Sequence, residues 1–306
     1  MMVDMTQRSG TAPAGDLEIC YDEFGDVDAP PVLLIMGLGA QMVYWREGFC
    51  QQIADAGYRV IRFDNRDIGL TTKLDGAHVG GPALPLRLGQ SAVGRAVAGA
   101  PYTLVDMAGD AEAVLNHLGI ERAHIVGASM GGMITQVFAA EHADRTETAT
   151  VIMSSNNRAF LPPPGPKQLQ ALLSAPPKDA DREAIIAHTA GVARIIGSPV
   201  YPVSREEALA RSTEYYDRSY YPAGFLRQFA AIQGTGSLQR FNERTTAPTL
   251  VLHGTHDKLM RPTGAKSVHR SIRGSRLHMV DGMAHDLPEP LWDEIVGTLT
   301  GHFAQT

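Results

Sequence analysis

Gly127-Ala128-Ser129-Met130-Gly131-Gly132 joins an apolar stretch, residues 124–128, to a segment with helical spacing that begins at residue 131. A serine flanked by small residues between a buried strand and a helix is typical of the G-x-S-x-G nucleophile elbow. The sharp turn brings backbones together, which excludes bulky neighbours, and it exposes the serine hydroxyl at the edge of a sheet. The motif therefore predicts a strand, a tight turn and a helix, with Ser129 as a nucleophile.

Short apolar stretches alternate with helical patterns along most of the chain, which predicts a mostly parallel, doubly wound α/β sheet with helices on both faces. The predicted strands are residues 17–24, 31–36, 58–63, 124–128, 148–153, 249–253 and 275–280. The predicted helices are residues 44–56, 103–118, 131–141, a segment after Pro262, and residues 289–303. A short turn follows residues 17–24, so this strand is predicted to be an antiparallel edge.

Two segments interrupt the alternation. Residues 71–101 are rich in Gly, Ala and Pro and are predicted to be a long loop. Residues 156–246 carry helical patterns and a concentration of aromatic residues, and the strand pattern resumes after them. We therefore expect a catalytic core formed by residues 1–155 and 247–306, interrupted by a helical cap formed by residues 156–246.

A serine hydroxyl needs a base, and the base needs an acid that orients it. In a sheet of this kind the acid and the histidine follow the serine in chain order. Asp257 comes just after the predicted strand 249–253, and His285 comes just after the predicted strand 275–280. Because the C-terminal ends of parallel strands share one edge of a sheet, Ser129, Asp257 and His285 are predicted to form a catalytic triad.

Other residues compete for these roles. Asp281 and Asp286 are alternative acids, and His253 and His256 are alternative bases, but their positions relative to the strands fit less well. His253-x-x-His256-Asp257 could also be a metal cluster, although it lacks a third spaced group of ligands. The loop after residue 36 lacks the third glycine of a dinucleotide-binding motif. The sequence therefore predicts no metal and no organic cofactor.

An oxyanion hole requires preorganised backbone N–H groups. One is expected from Met130, which follows the nucleophile at the start of its helix. The other is expected from the loop Gly37-Leu38-Gly39 after the predicted strand 31–36, with Leu38 N–H as the better candidate.

Substrate contacts are predicted from the aromatic residues of the insertion. Tyr215, Tyr216, Tyr220 and Phe225 either line an acyl pocket or pack the cap internally. With the apolar loop at residues 83–97, they favour a hydrophobic acyl or alcohol group. The turn Asp64-Asn65-Arg66-Asp67 follows a strand, and its side chains are expected to serve structure more than substrate binding.

Composition excludes several classes of protein. The chain has 27 Lys and Arg against 33 Asp and Glu, a formal charge of −6, and shows no clustered basic stretch of the kind that nucleic-acid binding requires. Two cysteines are too few for a disulfide framework. Residues 1–15 lack the charged and apolar regions of a signal peptide, and no apolar run is long enough to span a bilayer. We expect a cytoplasmic protein, with peripheral membrane attachment and oligomeric state left open.

These motifs resemble the α/β-hydrolase superfamily, over residues 17–303. The resemblance is strongest to the aclacinomycin-methylesterase-like branch of esterases and lipases, through residues 36–41 (MGLGAQ), 63–70 (FDNRDIGL), the elbow and residues 282–286 (GMAHD). It implies Ser129 as nucleophile, Asp257 as acid, His285 as base, and a cap over the site. Many relatives have His-Gly where this chain has Met36-Gly37, so no hydrogen bond from such a histidine is expected.

The sequence thus predicts a serine hydrolase that cleaves carboxylic esters of small molecules or lipids through an acyl-enzyme. Acyl thioesterases and phospholipases use the same triad and remain alternatives. Epoxide hydrolases and haloalkane dehalogenases are disfavoured, because they carry Asp where this chain has Ser129. A ligand-binding receptor built on a hydrolase fold is the alternative from a different class.

Overall fold

The computed structural model describes residues 8–305. The prediction that residues 1–15 are not a signal peptide therefore falls partly outside the described residues. Within these residues a single sheet of eight strands has the order β1-β2-β4-β3-β5-β6-β7-β8. The strands are β1 Arg8–Ala14, β2 Leu17–Phe24, β3 Pro31–Ile35, β4 Arg59–Phe63, β5 Ala123–Ala128, β6 Thr146–Ile152, β7 Thr249–Gly254 and β8 Arg276–Val280. Strands β3 to β8 run parallel, which confirms the predicted mostly parallel sheet.

Helices cover both faces of the sheet. They are α1 Glu47–Asp55, α2 Leu84–Ala92, α3 Leu104–His117, α4 Met130–Glu141, α5 Pro166–Leu173, α6 Arg182–Ile196, α7 Arg205–Arg218, α8 Pro222–Thr235, α9 Gln239–Asn242, α10 Pro262–Ser271 and α11 Trp292–Phe303. In β3, Val32 and Leu34 pack with α1 and α11, whereas Leu33 and Ile35 pack with α3 and α4. This alternation explains why a parallel strand is apolar along its whole length.

One predicted position in the sheet is wrong. Residues 17–24 do not form the edge, because β1 pairs antiparallel with β2 from Arg8 to Ala14 on its outer side. The sequence of β1, RSGTAPA, has one β-branched residue, Thr11, and no aromatic residue, so its local signal for a strand is weak. The antiparallel direction of β2 was predicted correctly, since it pairs antiparallel with β4.

The two interruptions contain helices. Residues 71–101 include α2 and are therefore more ordered than the predicted loop. Helices α5 to α9 lie within residues 156–246, where α6 packs on α5 and α7, while α9 contacts α4 and α10. The division of the chain into a core of residues 1–155 and 247–306 and a cap of residues 156–246 remains a prediction.

Two buried ion pairs join the turn after β4 to α7 and α8. The carboxylate of Asp67 accepts hydrogen bonds from Arg227 Nε and Nη2 at 2.9 and 2.8 Å and from the Tyr102 hydroxyl at 2.8 Å. Arg218 lies 2.7 Å from the buried carboxylate of Asp64. These contacts support the structural interpretation of Asp64-Asn65-Arg66-Asp67, because its acidic side chains bind protein groups.

The pKa of Asp67 reflects this environment. Burial alone would raise the pKa of the carboxyl group, but hydrogen bonds from Arg227, from the Leu74 amide and from Tyr102 outweigh it and lower the pKa below its usual value. A carboxylate whose pKa is depressed by folding contributes stability above its unfolded-state pKa. That contribution is lost as the pH falls through the folded-state pKa.

Among residues 8–305, none of the helices combines the length and the apolar character that a bilayer-spanning segment requires.

We predict that Arg227→Met lowers the free energy of unfolding by about 3–5 kcal/mol at neutral pH, because it leaves the buried Asp67 charge without its cation. Arg205→Met, at an exposed position that starts α7, is the matched control and should change it by less than about 0.5 kcal/mol. Urea unfolding measures both values. Equal effects of the two substitutions would show that the ion pair does not stabilise the fold.

Candidate active site

Ser129 occupies the turn between β5, which ends at Ala128, and α4, which begins at Met130. Its φ of 56° and ψ of −118° place it in a region that side chains other than glycine rarely adopt. The turn is held by hydrogen bonds on both sides: Ser129 N–H donates to Ile152 O at 2.9 Å, and Ser154 Oγ donates to Ser129 O at 2.7 Å. The strained conformation is therefore held by the neighbouring strand β6 and by Ser154, two residues after its end.

Close contacts between backbones explain the glycines of the motif. A Cβ atom on Gly127 would lie 2.1 Å from the Gly131 carbonyl oxygen, and one on Gly131 would lie 2.0 Å from the Ile35 carbonyl oxygen. Both distances are far below van der Waals contact. α4 can therefore start directly against β3 and β5 only if these two positions carry no side chain.

The three predicted triad residues lie in hydrogen-bond contact. His285 Nε2 is 3.0 Å from Ser129 Oγ, and His285 Nδ1 is 2.8 Å from Asp257 Oδ2. The other oxygen of Asp257 accepts hydrogen bonds from the Leu259 and Met260 amides, each at 2.8 Å. With its carboxylate 0% exposed, Asp257 has its oxygens fixed by these partners. A hydrogen-bonded series of this kind is the one that a nucleophile, a base and an orienting acid require.

The competing residues make their hydrogen bonds with other groups, although His253 Nε2 also lies 3.7 Å from Asp257 Oδ2. Asp281 accepts a hydrogen bond from the Thr255 hydroxyl at 3.0 Å, and His256 Nδ1 lies 2.9 Å from the same hydroxyl. His253 is fully buried, its Nε2 lies 2.5 Å from Met260 O, and burial lowers its pKa. Within the described part of the chain, no three His, Cys, Asp or Glu side chains converge in a way that could hold a metal ion.

The two predicted oxyanion donors flank the serine. Met130 is the first residue of α4, where N–H groups have no carbonyl partner inside the helix. Leu38 lines the same cavity as Ser129. Its loop is fixed by α7 and α8: Gly39 N–H donates to Gln228 Oε1 at 2.8 Å, and the Tyr215 hydroxyl donates to Gly39 O.

A cavity of about 390 Å³ contains Ser129 and His285. Its wall is mainly apolar and comes from the loop after β3, the end of α6, the following loop and α7. Representative lining residues are Met36, Leu38, Val43, Ile196, Pro202 and Val203. Residues 83–97, which the sequence suggested as a contributor, are not among the residues that line this cavity.

Of the four aromatic residues predicted to contact substrate, one lines the cavity within the described part of the chain, and this is Tyr215. Tyr216 and Tyr220 stack on each other with ring centroids 5.0 Å apart. The ring of Phe225 packs so closely against Gly39 that a Cβ atom on Gly39 would lie 2.7 Å from it. The difference between Tyr215 and Tyr216 follows from the helix, where adjacent residues point about 100° apart.

A further contact, which sequence reasoning missed, joins the end of α6 to the loop that carries His285. Ser198 Oγ donates to Asp286 and accepts from Ala284 N–H at 2.7 Å, and Ser198 N–H donates to Asp286 at 3.1 Å. His285 N–H donates to Ile196 O at 3.2 Å. Burial raises the pKa of Asp286, against the hydrogen bonds from Ser198. The loop is thereby held from both sides, by Asp257 and by residues 196–198.

A family profile described as alpha/beta hydrolase fold matches residues 30–289 of the chain. The protein belongs to this family. The match confirms the fold class that the elbow and the strand pattern predict.

Two relatives are distant but match nearly the whole chain. The rhodomycin D methylesterases DauP and DnrP of Streptomyces are each 24% identical to this chain, over 94% of its length and 95% of theirs. They bear out the resemblance to the aclacinomycin-methylesterase-like branch. Among solved structures, the enol-lactonase from Burkholderia xenovorans superposes with a TM-score of 0.72 at 21% identity, covering 97% of this chain and all of that one.

We predict that Gly131→Ala destabilises the protein by about 1–3 kcal/mol or more, because the new methyl group would overlap the Ile35 carbonyl oxygen. Gly109→Ala is the matched control, since Gly109 lies within α3 and no atom of the described residues comes within 4 Å of a Cβ there. It should stabilise the protein by about 0.5–1 kcal/mol. Thermal unfolding of both variants checks the two signs, and a neutral Gly131→Ala variant would contradict the close contact.

Proposed function

We propose that this protein is a serine hydrolase that cleaves carboxylic esters through an acyl-enzyme intermediate. The observation that carries the proposal is the hydrogen-bonded series from Ser129 Oγ through the His285 ring to Asp257, with Ser129 and His285 lining the cavity. The similarity to methylesterases over most of the chain also supports an ester as the substrate.

In the first half of the proposed reaction, Ser129 Oγ attacks the ester carbonyl carbon while His285 Nε2 accepts the hydroxyl proton. His285 Nδ1–H donates to Asp257 Oδ2, which orients the ring and stabilises its positive charge. The tetrahedral intermediate then breaks its bond to the leaving oxygen. His285 gives the proton to that oxygen, the alcohol departs, and the acyl group stays on Ser129.

In the second half, water attacks the acyl-enzyme carbonyl carbon and His285 Nε2 accepts a proton from it. The bond to Ser129 Oγ breaks, the serine recovers the proton, and the carboxylic acid leaves. The N–H groups of Leu38 and Met130 are proposed to bind the carbonyl oxygen as it becomes negative. Each such donor typically contributes about 3–4 kcal/mol to the stability of the transition state.

The substrate is proposed to have a hydrophobic acyl or alcohol group. The support is the apolar wall of the cavity, to which Met36, Val43 and Val203 contribute, and its volume of about 390 Å³. Tyr215 contributes an aromatic surface, and its hydroxyl already donates to Gly39 O. Its role at the wall is therefore packing against the substrate more than hydrogen bonding to it.

Acyl thioesters and phospholipids are alternative substrates for the same residues, because acyl-enzyme formation is common to all of them and only the leaving group differs. An oxygen ester, a thioester and a phospholipid that share one acyl chain would distinguish these activities by their kcat/KM values. A receptor that binds a ligand without hydrolysis is the alternative from another class. It would bind an ester substrate and release no acid.

We predict that Ser129→Ala lowers kcat for a short p-nitrophenyl ester by about 10⁶-fold, because the nucleophile is removed. A fluorophosphonate probe should label the wild-type protein at Ser129 and leave the variant unlabelled. Thermal unfolding provides the folding control. Unchanged turnover in the variant, or labelling elsewhere in the chain, would refute the proposed nucleophile.

We also predict that Asp257→Asn lowers kcat by about 10⁴-fold, because an amide no longer holds His285 in the required tautomer. Asp281→Asn is the matched control, since Asp281 follows β8 at the same edge of the sheet but binds the Thr255 hydroxyl. It should retain kcat within a few-fold of wild type. If Asp281→Asn lost more activity than Asp257→Asn, the assignment of the acid would be wrong.

A further inference from the structure

Exposed apolar residues with no role in the proposed chemistry lie on α2, at the residue that follows it and at Phe160. Phe160 is 85% exposed, and Leu86, Leu88 and Val93 are also exposed. Leu86 and Val93, the residue that follows the last turn of α2, are seven positions apart and therefore lie on the same side, whereas Leu88 points about 200° away from Leu86. We name Leu86, Val93 and Phe160 the α2 patch. Burial in the core does not explain them, because each presents much of its apolar surface to solvent.

Backbone contacts join the two segments that form the patch. Phe160 N–H donates to Ala92 O at 3.0 Å, at the last residue of α2. Ser237 N–H donates to Gly94 O and Leu238 N–H donates to Asn156 O, so both segments are also tied to the chain before α9. Phe160 has a φ of 62°, a conformation that is unusual for an aromatic residue. The backbone of Phe160 is therefore fixed beside the end of α2, and its side chain is exposed there.

The charge around the patch differs from that of the whole chain. The sequence contains no Asp or Glu between Asp75 and Asp106, and none between Glu147 and Asp179, although the chain has a formal charge of −6. The same segments carry exposed cations at Arg95, Arg158, Lys167 and Lys178. An exposed apolar group whose own segments carry exposed cations and no acids matches the surface of an anionic lipid bilayer.

We propose that the α2 patch docks the protein on the surface of an anionic lipid bilayer. The side chains of the patch enter the boundary between headgroups and acyl chains. Arg158 precedes Phe160 by two residues, and Arg95 follows Ala92, the hydrogen-bond partner of Phe160, by three residues. In the proposal both arginines bind lipid phosphates. The favourable free energy comes from burial of apolar surface and from attraction to negative charge, which together give reversible attachment.

The docked orientation has a consequence for the cavity. The segment after Phe160 leads into α5, and on the way Arg261 Nε donates to Pro163 O and Gly165 N–H donates to Lys258 O, each at 2.7 Å. Lys258 and Gln168 both line the cavity that contains Ser129. Docking through the α2 patch therefore holds one wall of the cavity near the bilayer surface, where apolar esters dissolve.

Sedimentation with vesicles tests the proposal without reference to hydrolysis. The full chain should bind phosphatidylcholine vesicles that contain phosphatidylglycerol and bind pure phosphatidylcholine vesicles much more weakly, and added salt should reduce the bound fraction. Phe160→Asp should lower the partition coefficient about tenfold or more, because it replaces the most exposed apolar group by an anion. Arg158→Glu should weaken binding to the anionic vesicles alone.

The matched control is Leu226→Asp, at a leucine that is 63% exposed on α8 and outside the acid-free segments. It should bind as the wild type does, and unfolding midpoints should show that all variants are folded. The proposal is overturned if the wild type ignores phosphatidylglycerol, or if Leu226→Asp and Phe160→Asp reduce binding equally. It is also overturned if Phe160→Asp abolishes a dimer in analytical ultracentrifugation while the wild type does not bind vesicles, because the patch then serves self-association.

Discussion

Steric exclusion at the turn between β5 and α4 is the constraint on which the rest of the structure depends. The turn leaves no space for a side chain at Gly127 or Gly131, and a Cβ on Gly132 would lie 2.7 Å from that of Ser154. Because the helix can approach this closely, Ser129 is forced into a strained conformation and its hydroxyl faces the cavity. The stability of the surrounding sheet, which is much larger than the local strain, maintains this geometry.

Buried charge provides a second level of organisation. Asp64 accepts hydrogen bonds from the Met42 and Leu70 amides and pairs with Arg218, so one carboxylate connects the loop after β3, the turn after β4 and the end of α7. A buried charge is costly unless its partners are in place. Displacing the end of α7 would leave the charge of Asp64 unpaired, and displacing either of the other two segments would remove a hydrogen bond from this buried carboxylate. These costs restrain the loop that carries Leu38.

The site was predictable from the sequence where chain order and strand ends determine geometry. Parallel strands end at one edge, so residues that follow β5, β7 and β8 had to lie together, and the positions of Ser129, Asp257 and His285 agree with that expectation. β1 was not predictable, because RSGTAPA has no apolar alternation and gains its order from pairing with β2. The antiparallel partner, not local propensity, makes it a strand.

Contacts between distant segments were beyond sequence reasoning for a related reason. Nothing near Ser198 indicates that its hydroxyl meets Asp286, because the two residues come together only when the end of α6 lies against the loop that follows β8. The phase of α7 is equally a property of packing. Residues 215 and 216 are both tyrosines, so the sequence does not distinguish them. Which of them reaches the cavity depends on the face that α7 turns toward the loop after β3.

Hydrogen bonds between residues 196–198 and residues 284–286 connect the end of α6, which lines the cavity, to the loop that carries His285. A movement of the end of α6 away from this loop would break these bonds and leave the loop with only the support that Asp257 provides through His285. The alignment of the imidazole with Ser129 Oγ is therefore coupled to the position of α6, so a change that loosens this end of the helix also loosens the histidine.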